Sequence, residues 1–349
     1  MSASRIAIVG AGLAGLRAAR LLTDAGHVVQ LFEKSRAPGG RAATRRASYG
    51  AFDHGAQYAT FRDARTRDLV RAWRDAGVLA PWPARVGIHE QGRTTAPRDA
   101  TERLVAVPDM RTLGEQMARG LDVLLGRTIS AVTRDAGGWW LHEATQPSAG
   151  PFDTLLLTAP PPQSAALLAT ARTHAGGDPV PPPAFHAALA AARTLPCLAA
   201  LLVLPARPDW PWDAAFVNDD PTLGWIARNA SKPGRGEAEC WVLHATAAWS
   251  AARLEVDPET TLPEFLAAFA RVIGETVTHT HATVHRWRYA RPADDLASTA
   301  EAYFDAALHV GVAGDWCLGG RIEGALLSGA ALAQLVQDAG GPVSTGVSA

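Results

Sequence analysis

The sequence predicts an α/β chain organised on a parallel, doubly wound sheet, with a smaller α+β domain interrupting it. Three observations carry that prediction. Over Arg5–Arg41 the chain runs strand, glycine-rich turn, helix, strand and acid in unbroken succession. Two later runs, Phe152–Ala159 and Leu308–Asp315, are as apolar as strands buried on both faces of a parallel sheet. Between them, from 184 to 290, a helix and spaced short strands follow a different, α+β pattern.

The opening stretch is a dinucleotide fingerprint in full. Ile6–Val9 has strand character, Gly10-Ala11-Gly12-Leu13-Ala14-Gly15 follows at once, and an apolar-periodic helix runs on to Gly26. Gly10 serves the tight turn, Gly12 lets a pyrophosphate approach the backbone, and Gly15 lets helix and strand pack closely. The helix start at Leu13 and Ala14 offers unpaired N–H groups to phosphate. Val28–Phe32 reads as the second strand, and Glu33 at its end is placed to accept the ribose hydroxyls of an adenosine, with Lys34 beside it. A lone glycine run would suit an ordinary turn; strand, helix and acid in register point to a dinucleotide.

Ser35-Arg36-Ala37-Pro38-Gly39-Gly40-Arg41 resembles the segment after the second strand in the glutathione-reductase-like FAD family. The resemblance implies that Gly40 and Arg41 lie against the pyrophosphate or ribityl chain, the arginine offsetting phosphate charge. Asp53-His54-Gly55-Ala56-Gln57-Tyr58 is similar to the corresponding segment of the renalase family, bacterial members included, within the flavin amine oxidase superfamily. On that resemblance Gly55, Ala56, Gln57 and Tyr58 contact the isoalloxazine or ribityl portion, while His54 is read as a packed or surface residue. Ile129 is expected to lend its backbone to the adenine. Gly314-Asp315, the glycine-rich turn after it and the helix start Ile322-Glu323-Gly324-Ala325 are typical of the same FAD family. Asp315 would accept a ribityl hydroxyl, and the helix start would aim N–H groups at flavin N1 and C2=O. The implied cofactor is non-covalent FAD, because the Ser-Gly-Gly-Cys context of covalently flavinylated relatives is absent around Cys317.

The implied architecture is a glutathione-reductase-like Rossmann FAD-binding domain with a smaller α+β substrate domain, as in amine oxidases and p-hydroxybenzoate hydroxylase. Residues 1–75, 100–165 and 290–340 are expected to form the FAD-binding domain and 76–99 with 166–289 the substrate domain. A disordered tail is expected at 341–349. No second glycine fingerprint is present, so a separate NAD(P)H domain is not expected.

Composition narrows the partners. With 349 residues, 48% hydrophobic and 19% charged, the chain has ample material for two cores. A net charge of −1 gives no reason to expect nucleic acid or an anionic membrane. Cys197, Cys240 and Cys317 are too dispersed for a disulfide framework or a zinc site, and no metal is expected. No apolar run approaches membrane-spanning length, and the first strand follows within a few residues of Met1, so a cytoplasmic protein is expected. Nothing in the sequence sets its oligomeric state.

The renalase resemblance implies an oxidase for misreduced dihydronicotinamides, the 2- and 6-dihydro isomers of NAD(P)H, with O2 as electron acceptor and hydrogen peroxide as product. Such a donor already carries its hydride, so an orienting pocket is expected rather than an acid–base pair. Trp225, Asn229, His244, Trp287, Arg288 and Tyr289 are the candidate walls, with Asn229 and Arg288 holding a carboxamide or ribose and the aromatics stacking on the ring. Ordinary core tryptophans would look the same in the sequence. Two rivals remain: an amine oxidase on the same fold, and a non-catalytic FAD-binding module. Amine oxidases typically hold a lysine through water to flavin N5. The only lysines here, Lys34 beside the ribose acid and Lys232 in a Ser-Lys-Pro-Gly loop, suit that role poorly.

Overall fold

The structure, a computed structural model, describes residues 3–98, 101–294 and 298–340. The chain divides into two compact units, Met1–Gly40 with Gly114–Arg193 and Pro292–Ala349, and Arg41–Leu113 with Thr194–Arg291. The expected tail at 341–349 lies outside the described residues.

The first unit is the Rossmann-type layer. Its six-stranded sheet runs in the order Tyr303–Asp305, Val310–Val312, Thr154–Leu157, Arg5–Val9, Val28–Glu33, Asp122–Leu125. All pairs are parallel except the outermost, where Tyr303–Asp305 runs against Val310–Val312. Leu155, Leu156 and Leu157 are buried without the in–out alternation of a one-sided strand, because both faces of the sheet are covered. On one face, helices Leu13–Asp24 and Ile322–Ala339 close over Ile6, Ile8, Leu31 and Leu156. On the other, the antiparallel strands Ala131–Asp135, Gly138–His142 and Ala149–Phe152 bring Trp139, Leu141 and Phe152 against Phe32, Leu155 and Val310. Ile129 lies between strands, partly buried against this second layer, rather than within the strand pair expected for it.

The second unit is built on a seven-stranded mixed sheet. Its order is His281–Pro292, Thr194–Leu204, Glu239–Ala245, Leu223–Arg228, Ala214–Val217, Val86–Glu90, Arg93–Thr95. Helix Leu262–Ile273 packs Phe265, Ala268, Phe269 and Val272 onto Leu202, Ile226, Trp241 and Leu243. The opposite face meets a hairpin, Thr44–Ala47 with Gly50–Asp53, whose Phe52 packs on Leu201, Val203, Cys240 and Val242. Two differences from the sequence reading follow: residues 41–75 and 101–113, grouped there with the dinucleotide domain, cluster with the second unit, and 166–193, grouped with the substrate domain, cluster with the first, where Leu167, Phe185 and Leu189 pack with Leu155 and Val310.

Close backbone approach decides the helix layer of the first unit. A Cβ on Gly329, in the last helix, would fall inside van der Waals contact of the Ala14 carbonyl in the first helix. We expect Gly329→Ala to force the helices apart and cost about 1–3 kcal/mol of stability, as overpacking does, read as a lowered urea midpoint with an unchanged slope.

Candidate active site

In the first unit the fingerprint folds as a glycine-lined cradle. Gly10 takes φ +110°, which only glycine adopts without strain, and its N–H donates to Phe32 O at 2.9 Å, tying the turn to the second strand. A Cβ on Gly15 would strike the Gly10 carbonyl, so helix and strand pack at backbone distance. Gly39 and Gly40 fold back on this turn: Gly39 N–H donates to Ala11 O at 2.8 Å, and a Cβ on Gly40 would stand 3.2 Å from Gly12 Cα. Glu33 is 6% exposed, with one carboxylate oxygen accepting from Ala11 N–H at 2.8 Å and the other from Ser35 N–H at 2.8 Å. Each oxygen keeps a further lone pair for a ribose hydroxyl. Lys34 is exposed beside it.

The residues present fit a dinucleotide. A Cβ on Gly12 would meet nothing within 4 Å, so the turn leaves open space over its own backbone. Leu13 and Ala14 open a helix with no side-chain cap and no acid in its first turn, leaving its N–H groups for an anion. Further along, Gly314 N–H donates to Ser328 Oγ at 2.9 Å, while Asp315 accepts through its backbone carbonyl from Leu318 and Gly320. The helix from Ile322 also lacks a side-chain N-cap, with Glu323 and Gly324 buried in its first turn and Ala325 half-buried. Burial pushes the Cys317 thiol up to about 12, which keeps it protonated and unreactive.

In the second unit the Asp53–Tyr58 segment is bound from three sides. Asp53 is fully buried and takes Lys232 Nζ at 3.1 Å and Arg235 Nη2 at 2.7 Å on one carboxylate oxygen. Its other oxygen takes Thr44 Oγ1 at 2.7 Å and Met110 N–H at 3.0 Å. Burial raises the Asp53 pKa, but the two cations and these hydrogen bonds outweigh it and hold the carboxylate below its ordinary value. Gln57 uses its whole amide internally: Nε2 donates to the Asp53 and Gly55 carbonyls, and Oε1 accepts from Lys232 at 3.2 Å. Trp287 Nε1 and His244 Nε2 converge on the His54 carbonyl at 2.9 and 3.0 Å. Arg41 belongs to this unit too, donating to Ala290 O at 3.2 Å, and its carbonyl accepts Ala56 N–H at 2.9 Å.

The six candidate substrate residues therefore separate. Asn229 is buried with its side chain spent on the Ala51 carbonyl, Asp53 N–H and Lys232, so it holds the segment. Arg288 alternates to the opposite face of its strand from Trp287, is exposed, and forms an ion pair with Glu255 at 2.6 Å. Trp225 lies against Tyr58 and Phe216, with ring centroids at 5.7 and 4.7 Å, and its buried indole N–H has no partner among the described residues. Tyr289 is half-buried on the Trp287 side of the strand. The sequence reading missed His54 and His285 as a pair: His54 stacks on Trp287 at 5.1 Å and His285 packs edge-on to both at 4.5 Å. The alternation His285, Trp287, Tyr289 carried that signal for His285. Lys232, read as a loop residue, is buried, because its loop brings the amine inward to Asp53.

An open glycine cradle on a parallel sheet, with an acid on its second strand, defines a Rossmann-type dinucleotide-binding protein. Comparison with known families agrees. An NAD(P)-binding Rossmann-like domain matches residues 8–73, and the flavin containing amine oxidoreductase family matches residues 90–337. The chain belongs to the flavin-containing amine oxidoreductase family, and its cofactor is FAD. Among solved structures it is similar in fold to cyclohexylamine oxidase from Brevibacterium oxydans IH-35A, at 12% identity and TM-score 0.73, covering 97% of this chain and 99% of that one. A protein assigned as a protoporphyrinogen oxidase from Exiguobacterium sp. 255-15 matches at 15% identity, TM-score 0.72 and the same coverage. Putrescine oxidase matches at 13% identity, TM-score 0.70 and again that coverage.

Two outcomes follow from this geometry. Glu33→Ala removes a buried charged acceptor, which is typically worth about 1.5–3 kcal/mol; FAD affinity should fall by about one to two orders of magnitude in a fluorescence titration of the apoprotein. His54, His244 and His285 are each pushed down from 6.5 to about 4, chiefly by burial. Between those values the unfolded chain binds protons that the folded chain does not, so stability is complete above about 6.5 and declines toward pH 4. The melting temperature should fall across that window, and His54→Gln should flatten the slope.

Proposed function

We propose that this flavoprotein oxidises misreduced dihydronicotinamides, the 2- and 6-dihydro isomers of NAD(P)H, to NAD(P)+. The chemistry supplied by bound FAD is acceptance of the hydride and delivery of the electron pair to O2, which with a proton gives hydrogen peroxide. The observation that carries the reading is the commitment of Lys232. An ammonium has three donors, and those of Lys232 meet Asp53, Gln57 and Asn229 at 3.1–3.2 Å. No donor is left to hold a water for amine oxidation, and burial favours neutral rings for His54, His244 and His285.

A dihydropyridine suits such a site, because aromatisation drives hydride departure without a general base. The protein's task is to align the ring with its carbon about 3–3.5 Å from the acceptor atom. Trp225 and Tyr58 offer aromatic faces for that purpose. The proposed cofactor contacts remain Gly10, Gly12 and Glu33 with Gly40, Gly55 and Asp315 at their respective segments.

The second reading, a flavin-dependent amine oxidase, is favoured by the family and by the fold shared with cyclohexylamine and putrescine oxidases. Anaerobic mixing separates them. The flavin's visible band should bleach rapidly with equilibrated NADH containing its 2- and 6-dihydro isomers. Comparable bleaching by monoamines, or by pure 4-dihydro NADH, would overturn the proposal.

A further inference from the structure

The carbonyls of three consecutive residues, Asp53, His54 and Gly55, are all held by side chains of their own unit. Gln57 takes the first and third, and Trp287 with His244 takes the second. Lys232 in turn fixes Gln57 through its amide oxygen at 3.2 Å. The His54–Gly55 peptide is trans, so its N–H points opposite to the clamped carbonyl. That Gly55 N–H has no hydrogen-bond partner among the described residues, whereas the next one, on Ala56, is taken by Arg41 O at 2.9 Å. Gly55 cannot shift inward, since even a Cβ there would collide with the Arg41 carbonyl.

We propose that Trp287 and His244 are positioning residues, which clamp the His54 carbonyl so that the Gly55 N–H is aimed outward as a fixed donor to the flavin. Gln57 and Lys232 complete the clamp from the other side. The inference deepens the functional reading and rests on its placement of Gly55–Tyr58 at the cofactor. It reassigns two residues whose sequence pattern suggested a substrate pocket: their polar atoms are spent on backbone, and Trp287 turns its ring to stack on His54. An amide held in advance costs no reordering when an acceptor arrives, which is the source of its value to binding.

The test uses Trp287→Phe, which keeps an aromatic ring over His54 and removes the indole donor together with part of the ring. Far-ultraviolet circular dichroism checks folding. Hydrogen–deuterium exchange over residues 54–58 of the FAD-free protein should quicken by about 2- to 10-fold, the equivalent of one modest hydrogen bond. The Kd for FAD should rise by a similar factor, with the substrate KM unchanged. His244→Leu should behave likewise, and His244→Gln, whose amide can still donate, should restore both readouts; this pair decides the matter if Trp287→Phe does not fold. Unchanged exchange and FAD affinity with a raised KM would overturn the clamp and leave the FAD reading standing. A wild-type protein that takes up no FAD would overturn both.

Discussion

Asp53 carries a full charge in a place with no access to water, and that constraint shapes the second unit around it. Its carboxylate is compensated by two cations, themselves almost wholly buried, and by two neutral donors. Removing one partner of such a buried group strands charge in a low dielectric, at a typical cost of about 3–5 kcal/mol. The arrangement is therefore all-or-none. Lys232 and Arg235 reach Asp53 from 179 and 182 residues away, so one short loop is pinned to the end of the hairpin that carries the Asp53–Tyr58 segment.

From that anchor the order of the segment follows. Asp53 fixes Lys232, Lys232 fixes Gln57, and Gln57 holds the carbonyls on either side of His54. Trp287 and His244 then hold the one between them from two other strands. Asp53, Lys232, Arg235 and His244 are spent on positioning it. A segment supported in this way is held rigidly, and its buried groups are engaged with one another.

The first unit meets a different constraint, backbone proximity. Gly10, Gly15, Gly40 and Gly329 each stand where a side chain would strain the chain or press on a neighbouring backbone. The cradle is thus built by leaving atoms out, and the open space above Gly12 is what remains.

The sequence by itself determined the fingerprint, the acid that ends the second strand, the buried parallel strands and the start of the last helix. These features are local: a glycine's conformational freedom, a 3.6-residue period and a cap all act within a few residues, so spacing alone reveals them. Period-two alternation places Arg288 on the opposite face of its strand from Trp287, a local signal that the sequence reading overlooked when it put both in one pocket wall. Only the tertiary structure decided what Lys232, Asn229, His244 and Trp287 do. Each was visible as a residue type, but its partner lies 175 to 233 residues away for Lys232 with Gln57 and for Trp287 with His54. A buried charge or an indole N–H takes its role from whichever acceptor folding delivers to it, and no local pattern in the chain encodes that delivery.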